Sequence, residues 1–591
     1  MAGFVCVVGC GPHEVVGPVA EPVPYRLLTT VEHLNRASIV LTNRRPSLAE
    51  IDAVLADPAA LEGIVRGYVE TPEYLSTIAD MHAEMYLLRD DIFLILPAQG
   101  ALTGYDLQQI YDGYTNEPLE LVKYIVSNNR PYTEIVTAQY MLTNDVVSKM
   151  YGLAYDENGP EWQVSAWSDY RAPAGLLSSA QMWRRWESDG SNFHRGRANV
   201  VASRFLCEDF DTRDLYVPGG IDIADEFEVA NAVMVEPACV GCHQSLDGIA
   251  AYFWGYKQLI HRNAVGDAIS SGCEWDWSDG SVPEYGPNNM PEHFCYPIKQ
   301  YVVDEEIGWE RWGLRPPLFY GQQAANMTEV GQIIAEDSRF ASCTARQFFA
   351  YFNETDVMSV PIEESQRLQL LLESSDFNAK ELTVQVVLSD AFRAWAPAAG
   401  SVDDGMAGLR AIRPEQYGDL VADLTGYRWV ANTDTPGCDD PDLKYGPECW
   451  GNVDLPESDL FGYRSMMGGL DHLNITRPTH TMTPLKAIVV DQLASDAAAY
   501  VFDQDLGLPD RSQRKLFDRI EAGDLDEALV REQLAAIHSR VLGAPALADD
   551  HDVSISYELF TDVLSVNGGN VRGAWVVVLS ALLEDPRMMF I

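Results

Sequence analysis

Apolar residues recur at three- and four-residue intervals over most of the chain, which is the pattern of helices with one buried face. The first long example covers residues 47–89, where Ser47 and Glu50 follow Pro46 in the spacing of a capping box. Later segments with the same pattern include SQRLQLLLESS, PLKAIVVDQLASDAAAYVF and RKLFDRIEAGDLDEALVREQLAAIHSRVLG. Alternation of apolar and polar residues, the pattern of half-buried strands, is scarce. The sequence therefore predicts a mostly α-helical fold.

Segments rich in Pro, Gly, Trp and Asp interrupt this pattern and predict long loops. They cover residues 155–172, 207–240, 273–325, 396–412 and 432–462. The 273–325 segment is long for a connection, so it either covers a functional site or is a surface excursion tied by a disulfide. We predict a leader and tether (1–24), an N-terminal helical domain (25–160), a central domain with the long loop (161–330), a helical domain packing on it (331–400) and a C-terminal helical domain (401–591).

Composition and charge exclude several classes of function. The chain has 591 residues, 47% of them hydrophobic, which argues against a mostly disordered protein. With 88 Asp and Glu against 41 Lys and Arg, its formal net charge is −47. Because such an acidic surface repels phosphate backbones, we expect no nucleic-acid partner. We also find no apolar run of the length that an ordinary membrane-spanning helix needs.

The first residues, MAGFVCVVGCGPHEVVGPVAEPVP, are apolar and then rich in Gly and Pro. VVGC followed by Gly resembles the lipobox of bacterial lipoproteins, in which Cys10 would carry the lipid. The alternative is an ordinary buried strand with two chance cysteines. On the lipobox interpretation residues 11–24 form a flexible tether. We then expect the chain in the cell envelope, in the periplasm or at the cell surface, with Cys10 as its only membrane attachment.

The remaining cysteines are consistent with export. Apart from Cys6 and Cys10 at the start, and Cys239 and Cys242 of a motif described next, six cysteines remain. This even number allows three disulfides in an oxidising compartment. Cys438 and Cys449 bracket a polar loop, and Cys273 and Cys295 bracket another; Cys207 and Cys343 are then left by elimination. Six cysteines allow fifteen connectivities, so this pairing is a preference.

Residues 239–243 read CVGCH, the attachment sequence of c-type haem. Two thiols three residues apart can add to the haem vinyl groups, and the adjacent His243 can bind the iron as the proximal ligand. With 10 Cys and 11 His in 591 residues, chance gives about 0.003 occurrences of the pattern. The alternatives are a thioredoxin-like pair, half a zinc site or a plain disulfide. No βαβ pattern, second CxxC or HxxxH accompanies the motif to support the first two.

Further residues are candidates for contact with this haem. The aromatic run after the motif could wall the haem edge or simply pack in the core; it includes Tyr252, Phe253 and Trp254. The motif does not determine the sixth iron ligand, for which the candidates are Met290, Met466, Met467 and His472. A thioether would raise the reduction potential, a second imidazole would lower it, and an open position would permit peroxide chemistry.

Several segments together resemble a known family. They are GLLSSAQMWRRW, HRGRANVVASRFLCEDF, EPACVGCHQSLDGIAAYF, SRFASCTARQFFAYF and ELTVQVVLSDAFRAW. In this order, over residues 165–396, they resemble the planctomycete-type cytochrome c proteins, bacterial envelope proteins built of consecutive domains of unknown function. Cys207 and Cys343 match cysteines of that family. The chain departs from it in LDGIAAYF after the motif and in the long 273–325 segment. The resemblance implies a haem-bearing envelope protein and supplies no substrate.

The sequence thus predicts helical bundles that flank a c-type cytochrome-like haem segment with long, disulfide-tied loops. The first functional hypothesis is an exported cytochrome with one covalent haem c that transfers electrons to a partner protein bearing a basic patch. The second is a peroxidase-like or oxidative haem enzyme. The third is a cell-surface binding protein in which the haem is structural.

Overall fold

The structure is a computed structural model. It describes residues 25–90, 98, 100–186, 192–213, 219–222, 224–256, 301–399, 407–434 and 450–591. Two predicted functional residues, Cys10 and Met290, lie outside the described residues. The cysteines of two predicted disulfides also lie outside them, namely Cys273, Cys295, Cys438 and Cys449.

The described residues confirm the mostly helical fold. In the first part of the chain the helices are α1 (Thr30–Thr42), α2 (Leu48–Ala56), α3 (Ala60–Tyr68), α4 (Pro72–Tyr86), α5 (Leu107–Thr115), α6 (Glu117–Ser127), α7 (Glu134–Thr137), α8 (Asp145–Tyr151), α9 (Arg195–Phe205), α10 (Glu226–Val235), α11 (Pro237–Ala250) and α12 (Gly308–Arg311). The predicted capping box is present: the Ser47 amide donates to Glu50 Oε2 (2.7 Å), and the Glu50 amide donates to Ser47 Oγ (3.3 Å). These bonds satisfy donors that the first helical turn leaves free.

The second part of the chain is helical in the same way. Its helices are α13 (Met327–Glu336), α14 (Ser338–Phe352), α15 (Ile362–Ser374), α16 (Ala379–Val387), α17 (Asp390–Arg393), α18 (Pro414–Thr425), α19 (Tyr463–Met466), α20 (Pro484–Gly507), α21 (Glu527–Leu542), α22 (His551–Val566), α23 (Val571–Leu583) and α24 (Pro586–Met589). None of the helices in the described ranges combines the length and the apolar character that crossing a membrane requires.

Strands are short and form three antiparallel pairs within the described residues. They are β1 (Tyr25–Leu27) with β4 (Ala394–Pro397), β2 (Met141–Thr143) with β3 (Gln163–Ser165), and β5 (Val430–Asn432) with β6 (Asn452–Asp454). In the first pair Tyr25 lies opposite Pro397 and Leu27 opposite Ala394. This pair joins the beginning of the described chain to the segment that follows α17.

A large cluster of buried apolar side chains runs through the molecule from Leu34 to Ile591. In its C-terminal part α23 packs against α20 and α22, with Trp575 between Phe517 and Phe560 at ring-centroid distances of 5.3 and 4.9 Å. A smaller cluster includes Tyr114 and Trp450. The larger cluster includes residues from each of the four domains predicted after the leader and tether. The boundaries of these domains stay a prediction.

A disulfide joins Cys207 to Cys343, with 5.3 Å between their Cα atoms. Cys207 follows α9 and Cys343 lies inside α14, where it is buried. Gln347, one turn further along α14, donates to the backbone carbonyl of Arg204 at 2.7 Å. The pair obtained by elimination from the sequence is therefore confirmed, and it fixes α9 against α14.

Candidate functional site

The CVGCH motif lies on α11, directly after α10. Pro237 is the first residue of α11, where its fixed φ suits the helix and its missing N–H costs nothing. Cys242 and His243 follow Cys239 by three and four residues, so the helix places the three side chains on one face. Both cysteines are partly exposed, and neither forms a disulfide. The helix thus presents two free thiols and an imidazole side by side.

A buried carboxylate holds the imidazole of His243. Asp247 lies one turn further along α11, and its Oδ1 is 3.1 Å from His243 Nδ1. The His243 side chain is 25% exposed, whereas that of Asp247 is 4% exposed. When Nδ1 carries the proton and donates to the carboxylate, Nε2 keeps its lone pair and is the nitrogen able to bind a metal.

Two arginines complete the surroundings of Asp247. Arg195 Nε lies 2.7 Å from Oδ1, and Arg315 Nη1 lies 3.1 Å from Oδ2. Burial opposes ionisation of Asp247, but hydrogen bonds from His243 and Arg195 outweigh it and hold the pKa of Asp247 below its ordinary value. Asp247 is therefore a carboxylate at neutral pH, and its charge faces the imidazole.

Separate parts of the chain meet at this carboxylate. Arg195 is the first residue of α9, and Arg315, which follows α12, also donates to the carbonyl of Val233 in α10 at 3.0 Å. Next to Asp247, a Cβ on Gly248 would lie 2.8 Å from the carbonyl oxygen of Leu318. Glycine therefore allows the segment that carries Arg315 to approach α11 closely. The packing of α9, α10 and this segment fixes the position of Asp247.

The aromatic residues after the motif make contacts within the protein. Phe253 is fully buried, with its ring edge-on to that of Trp183 at 4.6 Å, and the Tyr252 hydroxyl donates to the carbonyl of Ala324. Trp254 also contacts other aromatic rings of the protein. Its ring lies 6.4 Å from that of Phe193 and 5.2 Å from that of His194. These contacts are those of core packing, and a haem-wall role for Tyr252, Phe253 and Trp254 stays a prediction.

The sixth-ligand candidates among the described residues lie on other elements. Met466 ends α19 and is partly buried, and Met467, the next residue, is fully buried in the large core cluster. His472 is buried with a φ of 60°, and burial among Arg464 and other cations lowers its pKa well below the ordinary value. Whereas α11 packs mainly on α9 and α10, α19 packs on α20. Of the predicted site residues that the structure describes, those brought together are Cys239, Cys242 and His243, which share α11 with Asp247.

The donor set suits a covalently held haem. It comprises two thiols outside any disulfide, in the attachment spacing, and the His243 imidazole, whose Nδ1 is hydrogen-bonded to the Asp247 carboxylate. Within the described ranges, no group of three His, Cys, Asp or Glu side chains is arranged to hold a metal ion.

No protein-family model matches the chain, and comparison with curated proteins and with solved structures gives no match either.

Sequence reasoning missed Asp247, Arg195 and Arg315. Asp247 could have been found, because it follows His243 by four residues on a predicted helix, and residues at that spacing are neighbours. The arginines carry no such local signal, since they lie 52 and 68 residues from Asp247 along the chain.

Proposed function

We propose that the chain is an exported c-type cytochrome that transfers electrons through one haem attached at Cys239 and Cys242, with His243 as the proximal ligand. The observation that carries the proposal is the face of α11, where two free thiols and the imidazole lie together and Asp247 holds the imidazole by Nδ1. The haem supplies a one-electron couple when bound. The chain's own residues hold it, orient its ligand and set its potential.

Two further observations bear on the compartment and on the redox partner of the proposed cytochrome. The disulfide between Cys207 and Cys343 favours an oxidising compartment, in line with export and with the predicted lipid anchor at Cys10. The net charge of −47 favours a redox partner with a basic patch. Association with such a partner should weaken as the salt concentration rises.

Covalent haem is the direct test of the proposal. We expect the full chain, exported by a host that matures c-type cytochromes, to carry the added mass of one haem and to give a c-type pyridine haemochrome. Replacing Cys239 and Cys242 with Ala should abolish both signals, because the thioether sulfurs are gone. The matched control is Gln244→Ala, an exposed change on the same helix that should keep them. Exported wild-type protein without the haem mass would refute the proposal.

The second prediction concerns the carboxylate behind His243. Asp247→Asn is expected to raise the reduction potential by on the order of 50 mV. The carboxylate stabilises the more positive ferric state by about 1 kcal/mol more than a neutral amide would. An amide oxygen can still accept from Nδ1, so the ring keeps its orientation. Potentiometric titration measures the shift. Glu310→Gln, which removes an exposed carboxylate from α12, is the control and should leave the potential nearly unchanged; equal shifts would reject the role of Asp247.

The same carboxylate favours a second candidate function, a haem enzyme that reacts with peroxide. A hydrogen bond to a carboxylate makes an imidazole a stronger electron donor, which favours the higher oxidation states of iron. This candidate also requires an open or displaceable sixth position. A high-spin ferric spectrum and reaction with peroxide would favour it. A low-spin spectrum with a sulfur-to-iron band would instead favour electron transfer with a methionine ligand.

A further inference from the structure

An open cavity of about 520 Å³ lies between α1, the loop from α21 to α22 and the segment that follows α24. Apolar side chains form much of its wall, among them Val31, Leu542, Pro545 and Phe590. Sites for small organic ligands have volumes of about 300–1,000 Å³ and are mostly apolar with a few polar groups. The size and the wall of this cavity match such sites.

Two buried arginines, Arg36 of α1 and Arg45, also line the cavity, and each is only 4% exposed. Arg36 Nη1 donates to the carbonyl of Phe392 at 2.7 Å, and its Nε has no hydrogen-bond partner. Arg45 donates to the carbonyls of Val541 at 2.9 Å and Arg587 at 2.6 Å, and to the side-chain oxygen of Asn35 at 3.1 Å. In the part of the chain that the structure describes, neither guanidinium forms an ion pair with a carboxylate.

More distant carboxylates compensate these charges only in part. Glu354 acts on Arg36 at longer range, but it is itself paired with Arg413. Asp585 acts on Arg45, but it is paired with Arg587. Burial lowers the pKa of each guanidinium, to about 10, so both stay charged at neutral pH. A buried cation without a carboxylate partner is costly, and two such cations line this cavity.

Acidic residues at the cavity are already engaged. The Glu32 carboxylate accepts from the backbone amide three residues before it, and so does that of Asp550. Asp552 pairs with Arg587 at 2.8 Å. Glu32, Asp550 and Asp552 thus have other partners, and none of the three forms an ion pair with Arg36 or Arg45.

We infer that the cavity binds an organic carboxylate with an apolar body, such as a medium-chain fatty acid, whose head group pairs with Arg36 and Arg45. A carboxylate fits because its two oxygens match the forked donors of a guanidinium, and the apolar wall takes the rest of the molecule. This site is separate from the CVGCH helix, so the inference is independent of the haem.

Calorimetric titration of the full chain with decanoate, below the concentration at which it forms micelles, tests the inference. Decanol carries the same alkyl chain without the charge, and acetate carries the charge without the chain. We expect saturable binding of decanoate and at least tenfold weaker binding of the other two, because each lacks one of the two interactions. Failure of decanoate to bind, or equal affinity for decanoate and decanol, would overturn the inference.

A pair of neighbouring substitutions localises the binding. Ala546 lines the cavity, whereas Leu547 lies outside it and is 67% exposed. Ala546→Trp should weaken decanoate binding at least tenfold by filling the space, and Leu547→Trp should leave it unchanged. Arg36→Gln, which removes one charge, should weaken it by about tenfold as well. If decanoate bound the Ala546→Trp and Leu547→Trp variants alike, the ligand would sit elsewhere and the inference would fail.

Discussion

Replacement of Arg413 by Met is expected to lower the free energy of unfolding by about 3–5 kcal/mol, since removing one partner of a buried ion pair leaves the other charge buried alone. The Arg413 side chain is 6% exposed and directly precedes α18. Its Nε lies 2.8 Å from Glu84 Oε2, and its Nη1 pairs with Glu354, whose side chain is 1% exposed. Urea denaturation at pH 7 of the wild-type and variant chains measures the loss.

The pH dependence of this loss identifies its cause. In the wild type burial opposes ionisation of Glu354, but Arg413 and His480 outweigh it and hold the pKa of Glu354 below its ordinary value. Glu354 thus contributes stability above its unfolded pKa of about 4.3, and this contribution is lost as the pH falls through the folded value. Without Arg413 we expect burial to raise the pKa of Glu354. The difference between variant and wild type should therefore shrink from pH 7 to pH 4.

Arg428 provides a matched control. It also contacts two carboxylates, Asp419 at 3.1 Å and Asp454 at 3.2 Å, but its side chain is 56% exposed. Ion pairs in water contribute about 0–1 kcal/mol, so Arg428→Met should cost less than 1 kcal/mol. Equal losses for Arg413→Met and Arg428→Met would contradict the role of burial.

The buried ion pairs of Arg413 could not be predicted from the sequence, whereas the helices could. Helix positions could be predicted because their signals are local: Ser47 and Glu50 are three residues apart, and the spacing of apolar residues repeats within each helix. Arg413 and Glu84 are 329 residues apart, and either would be assigned to the surface from its type alone. Only the packing of α4, α14 and α18 brings these charges together.

The candidate site divides in the same way. Cys239, Cys242 and His243 lie within five residues, so their chemistry is readable from the chain and their common face follows from helix geometry. The group that orients His243 is local too, but Arg195, which with His243 keeps Asp247 ionised, comes from another helix. No spacing rule connects residues so far apart. The sequence could therefore predict that the motif residues share one face of a helix, but not the charged groups that surround Asp247.

Loss of the disulfide between Cys207 and Cys343 is expected to lower the free energy of unfolding by about 5 kcal/mol. The two cysteines are 136 residues apart, and closing a loop of that length restricts the unfolded chain strongly. The measurement compares denaturation of the Cys207→Ala/Cys343→Ala variant with that of the wild type. Because the loop contains α11, we also expect faster hydrogen exchange of the α11 amides in the variant.

Single variants decide whether the effect belongs to the cross-link. Cys207→Ala and Cys343→Ala each break the same bond, so each should cost about as much as the double variant. A thiol reductant should lower the stability of the wild type by about 5 kcal/mol more than that of the double variant, because only the wild type has this bond to lose. If reductant changed the stability of the wild type and of the double variant equally, or if peptide mapping found Cys207 bonded to another cysteine, the pairing would be wrong. The contact between α9 and α14 would then rest on packing and on the hydrogen bond from Gln347 to the carbonyl of Arg204.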